Sequence, residues 1–383
     1  MLAINFLLAE GGLRIYHFFS QERRSIHIPD FYLGYVHSKN NRFIWKSIPE
    51  HPEYRTFHAT NALGLLRSTE VMDPKGAPIE RILILGDSFT EALQVNYEES
   101  FSSRLEFLLN GNLPVKHKRL EVLNAGVRGY SPIVHYLNFK RSFLPLSPDV
   151  VIVQLCPNDV FEDNRAKPKT VFDANGLPLK INIFYSNGVS ESLRINPALL
   201  KIHRWLLEKS RFYEYAYIQS VKAGKKSRMN QEMRKRPPYD DGYQFFIIQD
   251  HDNDALFQEN NFLERTWKDT QNYLLSLKAL VESRGAKFLI IYIPIEAQLK
   301  LDHYGENARL FFSGQASDRL NQLLRKFADT HHVGYIDFLP ILQAHQDKPL
   351  YFNWDGHLTK DGHAIVAQTL FEYLRRDTFL DAN

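Results

Sequence analysis

The chain has 383 residues, 44% of them hydrophobic, which is enough for one large domain with insertions or for two domains. The formal net charge is only +3, without the basic excess of a nucleic-acid-binding domain, so we expect no nucleic-acid partner. Cys156 is the single cysteine, which excludes an internal disulfide and a zinc site built on several thiolates. A lone cysteine fits the cytoplasm and also a bacterial envelope.

The N-terminal segment, residues 1–19, is apolar up to Leu8 and is then interrupted by Glu10, Arg14 and His17. It falls short of the roughly 18–20 apolar residues that span a bilayer, and it lacks the pattern of a signal peptide. The segment predicts an amphipathic helix. The alternative is the remnant of a membrane anchor that begins upstream, which implies membrane association through the N-terminus.

Residues 20–80 contain short aromatic runs separated by Pro, Asn and His, which predicts short strands and loops in an N-terminal extension packed on the core. From residue 81 onward, apolar runs predict buried strands at 82–85, 121–123, 150–153, 288–293 and 333–338. Helical stretches are predicted between and after them, at about 91–109, 132–143, 262–283 and 361–376. Strands that alternate with helices indicate an α/β fold with a parallel sheet covered on both faces. Ligands of such sheets lie at the carboxyl ends of the strands.

About 100 residues, 161–261, separate the third and fourth predicted strands, which is too long for a simple crossover. We interpret them as a lid or cap inserted into the domain, with a helix near 197–220. A basic run in this insertion predicts a solvated loop, or contact with anionic lipid or polysaccharide. Its residues are Lys222, Lys225, Lys226, Arg228, Arg234, Lys235 and Arg236.

The sequence Gly86-Asp87-Ser88 directly follows the first predicted strand. A serine on a strand-to-helix turn places its hydroxyl at the edge of the sheet, where the helix N-terminus favours developing negative charge. The structural alternative is a helix capping box, because Glu91 lies three residues after Ser88. A phosphate-binding loop is a weaker rival, because the turn has one glycine and no lysine.

Three further turns lie at the same predicted edge: 124–130 after the second strand, Asn158-Asp159 after the third, and Asp355-Gly356-His357 before the last helix. Each of them alone is an ordinary turn or cap. Together with Ser88 they would supply a nucleophile, oxyanion donors, and a base with its orienting carboxylate. That set of groups is what acyl transfer requires.

These four motifs, in this order, resemble the SGNH (GDSL-like) hydrolases over about residues 81–370. The resemblance implies a three-layer α/β/α sandwich with a five-stranded, flavodoxin-like parallel sheet, in a hydrolase domain at 81–383. It also implies the following roles: Ser88 as nucleophile, His357 as base, Asp355 as its partner, and an oxyanion hole made by the Ser88 N–H, the Gly129 N–H and the Asn158 side-chain amide.

The chain departs from the family pattern in two places. Cys156 stands two residues before Asn158, where family members often have glycine. The spacing is Asp-x-His instead of the commoner Asp-x-x-His, a form that resembles relatives of polysaccharide O-acetyltransferases. A duplicate, Asp361-Gly362-His363, follows. We prefer His357 as the base, because His363 should already lie in the closing helix.

The residues and the resemblance predict serine-dependent hydrolysis of a small-molecule or glycan ester, of carboxylesterase or acetylesterase type. The alternatives are an O-acyltransferase or deacylase of a cell-envelope polysaccharide, a non-catalytic envelope binding protein and, more weakly, a flavodoxin-like nucleotide binder. We expect no cofactor and no metal, because His331, His332 and the N-terminal histidines lack ligand spacing. Relatives with similar N-termini are often tethered to the membrane with the enzyme outside the cytoplasm. This analogy predicts that the protein lies in the cell envelope or on the periplasmic side, tethered to the membrane, with the cytoplasm as the alternative.

Overall fold

A computed structural model of the chain describes residues 2–20, 26–47, 51–67, 69–71, 79–112, 119–182, 196–217, 219–220, 262–299 and 319–376. Its strands are β1 (His27–Asp30), β2 (Gly34–His37), β3 (Arg42–Lys46), β4 (Arg55–Ala59), β5 (Ile79–Gly86), β6 (Arg119–Gly126), β7 (Val150–Leu155), β8 (Thr170–Phe172), β9 (Pro178–Ile181), β10 (Lys287–Tyr292) and β11 (Gly334–Asp337). Its helices are α1 (Leu2–Ser20), α2 (Ser88–Glu91), α3 (Phe101–Asn112), α4 (Pro132–Asn138), α5 (Asp159–Ala166), α6 (Pro197–Lys209), α7 (Phe262–Glu282), α8 (Glu296–Leu299), α9 (Arg319–His331), α10 (Phe338–Gln343) and α11 (Lys360–Arg376).

Five strands form a central sheet in the order β11-β10-β7-β5-β6, and every pairing in it is parallel. Numbered along the chain, this order is 2-1-3-4-5, the flavodoxin-like arrangement. The predicted fold class is therefore confirmed. The strand order reverses between β5 and β7, and parallel sheets bind ligands at the carboxyl ends of such neighbouring strands. Ser88 follows β5 and Asn158 follows β7, so both lie at this switch point.

The buried strands divide their side chains between two helical layers. In β5, Ile82 and Ile84 join a core cluster with α3 and α11, whereas Leu83 and Leu85 join a second cluster with α4, α7 and α9. This alternation is the period of two that a strand imposes on its side chains. Both faces of the sheet are apolar, which explains why the strands read as continuous hydrophobic runs.

The predicted helix at 91–109 is wrong in its first half. The structure has the short helix Ser88–Glu91, a single 3-10 turn at Tyr97–Glu99, and then α3. The short helix ends because Ala92 adopts a left-handed conformation with φ of +57°. The segment between the two helices leaves the helical path and packs Leu93 under the N-terminal strands.

The N-terminal strands form two antiparallel hairpins, β1–β2 and β3–β4, outside the central sheet. The first hairpin packs Leu33 and Tyr35 against the segment around Tyr130. The second packs Phe43 and Trp45 into a small cluster with Leu93. Both hairpins therefore lie against the turns that follow β5 and β6.

Within the predicted insertion the structure describes α5, the antiparallel pair β8–β9, α6 and a following helix at 211–217. Helix α1 packs on this part, because the Glu10 carboxylate accepts hydrogen bonds from the backbone N–H groups of Arg211 and Phe212. Within the described residues, no helix is both long and apolar enough to cross a membrane. The basic run predicted between 222 and 236 lies outside the described residues.

Candidate active site

Ser88 is the first residue of α2 and lies two residues after the end of β5 at Gly86. Asp87 caps this helix, since its carboxylate accepts a hydrogen bond from the Phe89 N–H at 3.0 Å. Ser88 is therefore not the capping residue, and the capping-box interpretation is wrong. The Glu91 side chain does not turn back to the start of the helix but contacts His27 and His37 of the β1–β2 hairpin. The serine hydroxyl is left available for another partner.

That partner is His357, whose Nε2 lies 2.8 Å from the Ser88 Oγ. The other ring nitrogen, Nδ1, lies 2.5 Å from the Asp355 Oδ1. A carboxylate can only accept, so Nδ1 carries the proton and Nε2 is the acceptor facing the serine hydroxyl. The three side chains are thus linked in the order serine, imidazole, carboxylate, although 269 positions separate Ser88 from His357.

The turn between Asp355 and His357 depends on Gly356, which has φ of +72°. This left-handed conformation is costly for other residues. The turn is closed by two backbone hydrogen bonds, from the Phe352 N–H to the His357 carbonyl and from the Gly356 N–H to the Phe352 carbonyl. The turn thereby presents the carboxylate and the imidazole side by side.

The N-terminal β3–β4 hairpin holds the Asp355 turn from outside. The Tyr54 hydroxyl donates to the Asp355 Oδ2 at 2.6 Å. The Glu53 carboxylate accepts from the backbone N–H groups of Trp354 and Asp355. The His51 ring stacks on the Trp354 ring with their centroids 3.5 Å apart. Sequence analysis missed these contacts, because about 300 positions separate the partners and no local motif marks them.

The charge state of Asp355 follows from these contacts. Burial by itself raises the pKa of this carboxyl. The His357 imidazole beside it and the hydrogen bonds from His357 and Tyr54 outweigh burial and lower the pKa from 3.8 to about 2. Asp355 is therefore ionised at neutral pH and faces the imidazole with a full negative charge.

Gly129 and Asn158, the other expected oxyanion donors, both lie in the turns at this edge of the sheet. Gly129 has φ of +71° in the turn after β6. Asn158 lies at the start of α5, and its side chain contacts two neighbours, the Cys156 thiol at its amide oxygen and the Asp87 Oδ2 at its amide nitrogen. An amide nitrogen has two N–H groups, so one remains for a ligand.

The side chains of Asp87, Cys156 and Asp159, beside Asn158, are fully buried. Burial raises the pKa of the Cys156 thiol well above its ordinary value, so the thiol stays protonated. Its one hydrogen has two acceptors within reach, the Asp87 Oδ2 at 3.1 Å and the Asn158 amide oxygen. Burial, and then the charge of Asp87, raise the pKa of Asp159 well above its ordinary value. The protonated form of Asp159 is therefore favoured over the charged form.

Residues 252–383 match the protein family described as the SGNH hydrolase-like domain of the acetyltransferase AlgX. The matched stretch includes Asp355 and His357 and begins after Ser88. No curated protein matches the sequence significantly.

Solved structures similar to this chain include esterases at low sequence identity. The acetyl xylan esterase AlAXEase is 14% identical with a TM-score of 0.41, and the similarity covers 77% of this chain and 99% of that chain. A catalytic mutant of Axe2, an acetylxylan esterase from Geobacillus stearothermophilus, is 11% identical with a TM-score of 0.41, covering 82% of this chain and 100% of that chain.

The duplicate histidine, His363, lies in α11 and packs away from the serine. Its Nδ1 accepts a hydrogen bond from the Phe101 N–H at 3.3 Å, and its ring stacks on the Phe101 ring. Burial lowers the pKa of His363 to about 3, so it is a neutral packing residue. The structure brings Ser88 together with His357, as the position of the closing helix suggested.

Proposed function

We propose that this chain is an acyl-handling serine enzyme that cleaves an ester through an acyl-enzyme formed on Ser88. The observation that carries the proposal is the 2.8 Å contact between the Ser88 Oγ and the His357 Nε2, with Asp355 on the other ring nitrogen. This geometry supports nucleophilic catalysis, because a serine hydroxyl becomes reactive when a positioned base takes its proton.

In the first half-reaction His357 Nε2 takes the Ser88 proton while Oγ bonds to the ester carbonyl carbon. The carbonyl oxygen becomes an oxyanion, and the imidazole becomes an imidazolium that faces the ionised Asp355. As the tetrahedral intermediate collapses, the bond to the leaving alcohol breaks. The alcohol takes the proton from Nε2, which leaves the acyl group on Ser88 and the imidazole neutral.

The proposed oxyanion donors are the Ser88 N–H, the Gly129 N–H and one Asn158 amide N–H. Asp87 and Cys156 act as positioning residues in this proposal, because they contact the two ends of the Asn158 amide. Donors that are fixed before the reaction stabilise the developing charge without reorganisation, and losing one typically costs roughly 10²–10³ in rate.

In the second half-reaction an acceptor hydroxyl gives its proton to His357 Nε2 and its oxygen bonds to the acyl carbonyl carbon. The bond from that carbon to the Ser88 Oγ then breaks, and Oγ takes the proton back from Nε2. With water as acceptor the enzyme is an esterase, which is the reaction we propose first. The second candidate acceptor is a glycan hydroxyl. It is favoured by the match of residues 252–383 to a family described by an acetyltransferase.

A fluorophosphonate probe tests the proposed nucleophile directly. We expect covalent labelling at Ser88, located by peptide mass spectrometry, and hydrolysis of p-nitrophenyl acetate. Both should be lost in Ser88→Ala, which should keep the far-ultraviolet spectrum of the parent, and both should remain in the matched control Ser142→Ala, an exposed serine. Esterase activity that survives Ser88→Ala would exclude the proposal.

The acceptor is tested with the same protein. The acyl-enzyme is formed from p-nitrophenyl acetate with and without an acetyl-free polysaccharide, and mass spectrometry follows free acetate and acetylated glycan. Acetate release at equal rates under both conditions supports the esterase. Glycan acetylation at the expense of acetate release supports the transferase. If neither product forms and the probe does not label Ser88, the chain is a binding protein that retains the fold.

A further inference from the structure

Two histidines and a glutamate converge behind the nucleophile turn, in a cluster that the acyl chemistry does not use. His27 and His37 are register partners in the β1–β2 hairpin, so their side chains lie on one face. Each places its Nε2 at 2.7 Å from the same atom, the Oε1 of Glu91. Glu91 is the last residue of α2, the helix that begins with Ser88.

The single ring N–H of a neutral His37 cannot satisfy both of the acceptors that its two ring nitrogens face. Its Nδ1 lies 3.1 Å from the carbonyl oxygen of Gly64, which can only accept a hydrogen bond. Its Nε2 faces a carboxylate oxygen, which also only accepts when ionised. A neutral imidazole has one N–H, so one of these contacts lacks a hydrogen. The cluster therefore needs one more hydrogen or a metal ion among the three side chains.

The carboxylate makes the same demand. The Glu91 side chain is fully buried, and its second oxygen, Oε2, has no hydrogen-bond partner among the described residues. Among the described residues, the Arg128 guanidinium faces this oxygen, with its Nε 3.9 Å from Oε2 and so beyond hydrogen-bond distance. A buried carboxylate is costly unless it is paired or coordinates a metal.

We propose that His27, His37 and Glu91 bind a divalent first-row transition metal ion, with Zn²⁺ as the ion that suits two imidazoles and one carboxylate. A metal-ligating histidine usually donates its other ring N–H to a backbone carbonyl, which is the contact between His37 and Gly64. The Arg128 guanidinium faces the carboxylate oxygen that does not meet the histidines. The site thus has three ligands, with Gly64 as the outer partner of His37 and Arg128 as the outer partner of Glu91.

The geometry needs a small adjustment to hold the ion. Ligand atoms in a tetrahedral zinc site with bonds of about 2.0–2.1 Å lie roughly 3.3 Å apart, so each imidazole must move by about 0.6 Å. The His27 side chain is 22% exposed, which gives it freedom to move and gives the ion and a coordinated water a path from solvent. His37 is 4% exposed and already held through Gly64.

A bound ion would link the β1–β2 hairpin to α2, the helix that carries Ser88. Two ligands come from β1 and β2 and the third from α2, so the ion links segments that are separated by more than 50 positions in the chain. This role is structural and does not rest on the proposed acyl chemistry.

The test uses the full chain after treatment with EDTA and removal of the chelator. Zn²⁺ is added and excess is removed by desalting, and the retained metal is measured by elemental analysis. We expect about one Zn²⁺ per chain and a thermal unfolding midpoint several degrees higher with Zn²⁺ than with EDTA. Co²⁺ in place of Zn²⁺ should give the visible absorption of a low-coordinate nitrogen and oxygen site.

His27→Gln is the main variant, because glutamine can still donate to Glu91 from a partly exposed position. Its affinity for Zn²⁺ should fall at least tenfold, so that it retains no stoichiometric metal and shows no shift in midpoint. His332→Gln, which removes an exposed histidine elsewhere, should keep both. Metal retention by His27→Gln equal to that of the parent, or no retained metal and no shift in the parent, overturns the proposal. Either outcome means that these three side chains do not bind the ion, and fluorophosphonate labelling of Ser88 is scored separately.

Discussion

Replacing Tyr54 with phenylalanine removes one hydroxyl from the candidate active site and leaves the ring in place. The hydroxyl donates to the Asp355 Oδ2 at 2.6 Å, and the ring packs edge-on against Phe352. A hydrogen bond to a charged group contributes roughly 1.5–3 kcal/mol. Without it, the carboxylate is free to rotate away from the His357 Nδ1.

We expect kcat of Tyr54→Phe to fall roughly tenfold, which is about 1.4 kcal/mol of transition-state stabilisation. The reason is that the orientation of Asp355 matters most when His357 carries a positive charge, and that state arises during the reaction. KM should change little, because Tyr54 contacts the carboxylate of Asp355 from the hairpin side. Tyr54 thus acts as a positioning residue.

The same change should alter the pH dependence of stability. The pKa of Asp355 is lowered from 3.8 to about 2, so this group contributes about 2 kcal/mol of stability that is present above pH ~4 and lost as the pH falls toward about 2. Removing the Tyr54 hydroxyl removes one cause of the lowered pKa. The pKa of Asp355 in Tyr54→Phe should therefore rise toward its ordinary value, and acid unfolding should begin at higher pH.

The assay measures kcat and KM for p-nitrophenyl acetate from acid to neutral pH, together with urea unfolding at both ends of that range. Tyr215→Phe, at an exposed tyrosine, is the matched control and should behave as the parent. A Tyr54→Phe protein with parental kcat and an unchanged pH profile would refute the reasoning, even if its stability were lower. Tyr54 would then be a packing residue only.

Three further changes test other parts of the structure. Asn158→Ala should lower kcat for the same ester by roughly 10²–10³ with KM near the parent, and an unchanged kcat would remove Asn158 from the oxyanion hole. Gly356→Ala places a side chain at φ of +72° and should cost roughly 1–2 kcal/mol of unfolding free energy, with slower labelling of Ser88. Glu121→Ala leaves the buried Arg81 guanidinium without its 2.7 Å partner and should cost about 3–5 kcal/mol in urea unfolding. A loss below about 1 kcal/mol would place that pair among weak surface ion pairs.

The central sheet could be predicted from the sequence because its information is local. Each strand is buried on both faces, so its apolar run is continuous and ends at a polar or glycine residue at the carboxyl end. Asp87 and Ser88 after β5 and Asn158 after β7 are such ends, and parallel pairing brings them to one edge. The position of Ser88 follows from this reasoning, whereas the Asp355 turn lies between two helices and is indicated by the resemblance to the SGNH hydrolases.

The helix after Ser88 could not be predicted from its local pattern, because tertiary contacts set its length. Propensity and the spacing from Ser88 to Glu91 both favour a capped, continuous helix. In the structure the Glu91 carboxylate is turned toward His27 and His37, and Ala92 leaves the helical conformation. These partners lie more than 50 positions away, and no periodicity in the sequence marks them.

The contacts of the N-terminal hairpins make them part of the candidate active site rather than a separate appendage. Tyr54 holds the carboxylate that faces the base, and the two histidines of the first hairpin meet Glu91 on the serine helix. A chain that began at β5 would keep every residue of the catalytic linkage. It would lose the Tyr54 hydroxyl on Asp355 and both histidine partners of Glu91. The hairpins therefore set the geometry of a site whose reacting groups all lie outside them.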